Sequence, residues 1–291
     1  MDLDGRRESE NYEDRRGMSG GAVTGMGLGG IILFALIFLL SGKFDLGSLG
    51  DIMSAGNDAQ EVTERNSDGQ AQRPANPEEE RQVKFCKQIL ASTEDVWSAV
   101  FRQKFNREYQ PPKIVFFTNS VQTSCGGATS AVGPFYCSAD QKLYIDLSFF
   151  EQMESQLGAR GEFARAYVIA HEVGHHVEYL LGSLGKAHAQ MQQSSKAKAN
   201  QISVRLELLA DYYAGVWAHY EGEAYSSINN EDIRSAINCA QKIGDDILTK
   251  GQVSPESFTH GTAEQRMRWL KRGMQTGDMN TTTFNVDYNS L

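Results

Sequence analysis

Apolar and polar positions divide the chain into four stretches. Residues 1–20 are polar and carry both signs of charge, with no apolar period, so they read as a disordered tail. Gly21 to Gly42 holds no charge at all and centres on Ile31-Ile32-Leu33-Phe34-Ala35-Leu36-Ile37-Phe38-Leu39-Leu40. A run of about 20 apolar residues is the length of a membrane-crossing helix. Residues 43–75 are rich in Gly, Ser, Asn, Asp, Gln and Glu, the composition of a flexible linker. From residue 76 to 291 the pattern is that of a folded domain. Pro77-Glu78-Glu79-Glu80 opens a helix, with Pro at the first turn and acids against the dipole. Val83, Phe85, Ile89, Leu90, Val96, Trp97, Val100 and Phe101 continue it at helical spacing until Pro111-Pro112. Strands are predicted over Lys113–Phe117, Gly133–Cys137 and Lys142–Leu147, the last two joined through Ser138-Ala139-Asp140-Gln141. Helical segments dominate to about residue 275, and 276–291 read as a loosely held tail. The fold class is α+β, mostly helical with a small antiparallel or mixed sheet, preceded by one transmembrane helix.

The stretch before the apolar run is long and acidic, and no A-x-A site follows. That favours a retained span over a cleaved signal peptide. Orientation follows Lys and Arg near the span. Arg6, Arg7, Arg15 and Arg16 precede it and only Lys43 follows closely, which predicts a cytoplasmic N-terminus and a domain outside. The expected location is a bacterial inner membrane, single-pass, with membrane lipid contacting residues 21–42 and the domain periplasmic or extracellular.

The 291 residues allow one sizeable core with appendages. The net charge of −9 and the lack of a basic cluster with interleaved aromatics exclude nucleic acid as an expected partner. The four cysteines are Cys86, Cys125, Cys137 and Cys239. An extracytoplasmic domain permits disulfides. Cys125 and Cys137 flank a Gly-rich loop leading into a strand, which favours that bridge and leaves Cys86 with Cys239. A cysteine zinc site would want a C-x-x-C pair, and there is none.

The candidate chemistry lies in Ala166-Tyr167-Val168-Ile169-Ala170-His171-Glu172-Val173-Gly174-His175-His176. On a helix His171 and His175 share one face, a turn apart, and can grip one Zn²⁺. Glu172, at the edge of that face, can take the proton of a water there. His176 points away from His175 by about 100° and reads as a packed histidine. Downstream, Arg205-Leu206-Glu207-Leu208-Leu209-Ala210-Asp211 also reads as helix. Glu207 is the candidate third ligand, and Asp211, one turn on, can accept the N–H of a ligating imidazole. Two His and one Glu leave a fourth position open, as a catalytic zinc site requires. His188 and His219 read as surface or satisfied histidines, and Trp97, Trp217 and Trp269 as core.

These motifs resemble the zincin metallopeptidases, and Glu-x-x-Ala-Asp resembles the gluzincin branch. More narrowly, the chain is similar to a bacterial family described as "putative neutral zinc metallopeptidase". The similarity rests on Gly5-Arg6-Arg7-Glu8-Ser9-Glu10-Asn11, Glu13-Asp14-Arg15-Arg16-Gly17, Gly133-Pro134-Phe135-Tyr136-Cys137, Tyr144-Ile145-Asp146, and Thr259-His260-Gly261-Thr262 with Glu264-Gln265-Arg266 and Trp269. The resemblance implies a zincin-like domain over 76–291, Zn²⁺ as cofactor and a protein or peptide substrate. It implies Glu172 as general base and His260 as the donor that steadies the oxyanion, with Tyr212 and Tyr213 as alternatives. It also implies a substrate-holding edge strand, assigned to the one ending in Tyr144-Ile145-Asp146. Two other readings stay open: an idle zincin scaffold that binds envelope partners, which an intact Glu172 argues against, and a zinc amidase of cell-wall amide bonds.

Overall fold

The computed structural model describes residues 1–17 and 76–291. The predicted span 21–42 and linker 43–75 lie outside the described residues. Among those described, no helix is long and apolar enough to cross a membrane.

The first long helix, α1 (Pro77–Phe105), starts where its local chemistry directs. Asn76 accepts the Glu78 N–H as N-cap, Pro77 supplies the first-turn φ, and Glu78, Glu79 and Glu80 face the helix dipole. Six strands, one before α1 and five after it, lie in two sheets: β1 (Tyr12–Asp14), β2 (Lys113–Phe117), β6 (Lys142–Asp146) and β5 (Phe135–Cys137) form one, in the order β1-β2-β6-β5. β3 (Ser120–Thr123) and β4 (Gly126–Thr129) form a separate hairpin. In the main sheet β1, β2 and β6 run parallel and β5 is antiparallel to β6. The period of two along β2 and β6 splits their side chains between two cores. Ile114, Phe116, Leu143 and Ile145 join the main helical core, whereas Val115, Phe117 and Tyr144 face the hairpin with Val121 and Ala128.

The helical part consists of α2 (Ser148–Leu157), α3 (Glu162–Leu181), α4 (Ser183–Gln192), α5 (Lys196–Tyr225), α6 (Asn230–Lys242), the single turn α7 (Asp245–Leu248) and α8 (Ala263–Thr276). Helices α3 and α5 cross at the centre, with Trp97, Trp217 and Trp269 all buried around them. A Cβ on Gly174 would stand 2.8 Å from the Ala210 carbonyl oxygen, so only glycine allows this approach. The same holds where α5 meets α8: a Cβ on Gly215 would lie 2.2 Å from the Leu270 carbonyl oxygen.

Four expectations are corrected. Residues 1–17 are no loose tail: they supply β1 and a buried Ser9. Their signal is tertiary, because Tyr12, Glu13 and Asp14 pair with a strand about a hundred residues away. The C-terminal residues are also held, with Thr283 and Leu291 buried and the Thr283 hydroxyl donating to the Arg205 carbonyl. The strand ending in Tyr144-Ile145-Asp146 is internal, between β2 and β5; among the described residues the edge strands are β1 and β5. Cys125 and Cys137 form the expected disulfide, but Cys86 and Cys239 are separate buried thiols, the Cys239 thiol turned to the Met153 sulfur at 3.8 Å. Burial pushes the Cys239 thiol up to about 12, so it stays protonated and inert.

The disulfide ties the tip of the β3–β4 hairpin to the last residue of β5, across a separation of 12. A closed loop of that length restrains the unfolded chain by about 3 kcal/mol. Replacing Cys125 and Cys137 by serine is therefore expected to lower unfolding free energy by about 2–4 kcal/mol in denaturant titrations.

Candidate metal centre

The crossing of α3 and α5 decides where the polar side chains meet. His171 and His175 are one turn apart on α3, with ring centroids 4.9 Å apart and planes at 84°. Glu207 projects from α5 between them: its carboxylate oxygens lie 3.3 Å from His171 Nε2 and 3.6 Å from His175 Nε2. One ligand atom from each of the three fits within 4.8 Å of the others. Among the described residues this is the one such group.

Each imidazole has a carboxylate behind it. His171 Nδ1 lies 2.8 Å from Asp211 Oδ1, and His175 Nδ1 lies 2.9 Å from Glu178 Oε2. A carboxylate only accepts, so both Nδ1 atoms carry the proton and both Nε2 atoms turn toward Glu207. That is the tautomer a metal ligand needs. Asp211 is itself fully buried and held by Arg266, whose Nε donates to Oδ2 at 2.8 Å and whose second nitrogen donates to Oδ1 at 3.0 Å. The Tyr167 hydroxyl donates to the same Oδ1 at 2.5 Å.

The electrostatics call for a cation at this place. Burial opposes a charge on His171, yet the Asp211 and Glu207 carboxylates raise it to about 10. Burial also opposes the Glu207 carboxylate, but His260, His171 and His175 hold it far below the usual range. Asp211 is likewise held low against its burial by Arg266 and His171. Burial lifts Glu178 to about 7, with His175 pulling the other way. The carboxylates of Glu207, Asp211 and Glu178 thus favour positive charge at the imidazole pair, which a divalent ion would supply in place of ring protons, and the donor set suits zinc.

Glu172 sits beside this group, buried, its carboxyl raised by desolvation against the pull of His171 and His175. The nearby backbone of Tyr136 on edge strand β5 weakly favours its charged form, behind the two imidazoles. His176 is buried and serves that strand rather than the metal group. Its Nε2 donates to the Gln110 carbonyl at 2.7 Å, so its Nδ1 accepts the Tyr136 hydroxyl at 2.9 Å. Burial holds this ring down at about 4, so it stays neutral.

The cleft over the metal group is walled by Phe135, Tyr136, Phe149, Met153, Val168 and Ile243, and His260 faces it too. Asp245 fixes His260: it accepts the backbone N–H groups of Thr259, His260 and Gly261 and lies 3.2 Å from His260 Nδ1. Tyr212 and Tyr213 are elsewhere. The Tyr212 hydroxyl donates to the Asp278 carbonyl, and Tyr213 packs on Trp97. His188 is exposed, and His219 bonds the Met274 carbonyl. Sequence reasoning missed Glu178 and Asp245. The first had a signal, three residues after His175 on the same helix face. The second had none, because its partners arrive from a loop 14 to 16 residues on.

The fold and this site define a mixed α+β protein carrying a candidate His₂Glu metal centre. The chain belongs to the family described as "Putative neutral zinc metallopeptidase", whose model matches residues 1–284. It is 44% identical over 288 residues to "Uncharacterized protein YpfJ" of Escherichia coli K12, covering 96% of each chain. It is also 44% identical over 185 residues to "Uncharacterized protein Rv2575" of Mycobacterium tuberculosis H37Rv, covering 59% of this chain and 61% of that one. No solved structure matches it at a significant level.

Glu178→Gln keeps the size of the side chain and removes its charge. It is expected to weaken Zn²⁺ binding about 10- to 100-fold in competition titrations against a chromophoric chelator, with the circular dichroism spectrum unchanged.

Proposed function

We propose that this chain is a zinc-dependent peptidase with a zincin-like domain. The observation that carries the reading is the position of Glu172. A buried carboxyl stands beside a His₂Glu group and lines one cleft with Phe135 and Tyr136 of edge strand β5, where a second peptide would lie.

His171, His175 and Glu207 would hold the ion. When bound, Zn²⁺ supplies Lewis-acid chemistry, acidifying water and polarising a carbonyl. Glu172 takes the proton of the attacking water and passes it to the leaving amine. Its raised carboxyl suits both halves of that transfer. With Nδ1 turned to Asp245, the His260 ring has Nε2 left for the cleft, where it can donate to the oxyanion. Strand β5, whose outer edge has no strand partner among the described residues, offers that edge to an extended substrate, which adds by main-chain hydrogen bonds. His176 and Tyr136 hold that edge at a fixed distance from α3. The apolar cleft walls favour a substrate side chain without charge. The Cys125–Cys137 bond supports an extracytoplasmic location, and the apolar run 21–42 supports attachment to a membrane.

The test is cleavage of casein and of a peptide library by the full chain in detergent, with zinc content measured in parallel. Glu172→Gln is expected to lower turnover about 10²- to 10⁴-fold while retaining zinc. A chelator is expected to abolish cleavage and added Zn²⁺ to restore it. Zinc-loaded protein that cleaves no peptide under any of these conditions would refute the peptidase reading.

A further inference from the structure

The four arginines that predict a cytoplasmic N-terminus are engaged in the fold. Arg6 forks onto Glu221, at 2.7 Å and 3.3 Å, and lies over the Tyr225 ring. Arg7 pairs with Glu94 at 2.9 Å and with Asp95 at 2.6 Å. Arg15 pairs with Glu13, and its backbone N–H donates to the Phe116 carbonyl at 2.8 Å. Arg16 pairs with Asp14 at 2.6 Å and with Glu80 at 2.7 Å. Charges of the domain answer in turn: Lys87 to Glu8 and Lys142 to Glu13, both at 2.7 Å.

Some of these contacts are buried, and the domain is incomplete without them. The Glu221 side chain has no exposure. Besides Arg6 it accepts the hydroxyls of Ser92 and Ser227, so Arg6 is its one cationic partner in the structure described. Ser9 is wholly buried: its N–H donates to the Lys87 carbonyl and its hydroxyl to Glu94. The Gln88 amide donates to the Leu3 carbonyl. Strand β1 covers the edge of β2 in a three-residue parallel register. An unpaired buried carboxylate and a bare sheet edge are both costly.

We propose that residues 1–17 are a permanent part of the domain and occupy the same compartment as residues 76–291. A strand in register and a buried Arg6–Glu221 pair form only when both pieces meet in one aqueous phase. A single crossing between them would part them, so the expected arrangement, with a cytoplasmic N-terminus and an external domain, does not hold. Orientation by Lys and Arg counts charges free to remain at the membrane face. Arg6, Arg7 and Arg16 are paired with acids of the domain, and Arg15 with Glu13.

The test uses the full chain in bacterial spheroplasts. Glu10 and Lys196 are both exposed, one in each piece, and each is replaced singly by cysteine. Native Cys86 and Cys239 are buried and Cys125–Cys137 is bonded, so they give little background. A membrane-impermeant maleimide is added before and after permeabilisation. Both positions are expected to label to the same extent before permeabilisation. Labelling of both only afterwards would uphold the shared compartment and refute the extracytoplasmic location proposed above. Labelling of one before and the other only afterwards would overturn the inference. A second measurement reports docking directly. Arg7→Cys with Asp95→Cys, in a chain carrying a protease site within 43–75, is bridged by a short bis-methanethiosulfonate, whose span replaces the Arg7–Asp95 contact, and then cut. Fragments that remain joined until reduced support docking within one chain. Fragments that separate without reduction, or a disulfide-linked dimer, would overturn it.

Discussion

The close crossing of α3 and α5 is the constraint on which the rest of the molecule depends. Gly174 lies against the Ala210 backbone with no room for a Cβ. That contact brings one turn of α3, carrying His171 and His175, to one turn of α5, carrying Glu207 and Asp211. Three donors from two helices then converge with no loop involved. Side chains on packed helices are positioned more sharply than side chains on loops, because their rotamers are locked by neighbours. Trp97, Trp217 and Trp269 and the aromatic residues around them supply the apolar burial that holds the crossing closed.

Placing that much charge in a core would be unfavourable if any member lacked a partner. The structure offsets the cost by chaining the groups. Arg266 holds Asp211, Asp211 holds His171, and His171 faces Glu207. Glu178 holds His175, which faces the same carboxylate. The chains meet at His171, His175 and Glu207, where a divalent ion would complete the balance. Buried ion pairs contribute little net stability, so this arrangement is better understood as fixing orientation. Asp245 does for His260 what Asp211 does for His171, but from the single turn α7 rather than a long helix.

The sheet serves the same site from the other side. Its edge strand β5 is held by three unrelated devices: the ladder to β6, the disulfide to the β3–β4 hairpin, and the hydroxyl of Tyr136 on His176. The opposite edge strand is β1. Among the described residues β1 and β5 are the two edge strands, and it is β5 whose Phe135 and Tyr136 line the cleft over the metal group. On the proposed peptidase reading, a peptide substrate on β5 and the chain's own N-terminal segment on β2 would use the same kind of main-chain pairing on opposite sides of the sheet.

What the sequence determined by itself is what is local and periodic. The spacing of His171, Glu172 and His175 placed them on one helix face, and that of Glu207 and Asp211 did the same. Asn76-Pro77 with three glutamates set the start of α1, and the run Lys113–Phe117 set β2. The Cys125–Cys137 bond was legible because both lie near one turn. Tertiary structure decided what depends on distant partners. Cys86 and Cys239 had only each other left by elimination, and the fold holds them as separate buried thiols. Which strand is the edge depends on sheet order, which a strand's own residues do not encode. Residues 1–17 look like a polar tail because their pairing groups are backbone amides and charges, whose partners lie far along the chain. Helical periodicity is written within a few residues, whereas a parallel strand pair or a buried ion pair is written in two places and becomes legible only when folding joins them.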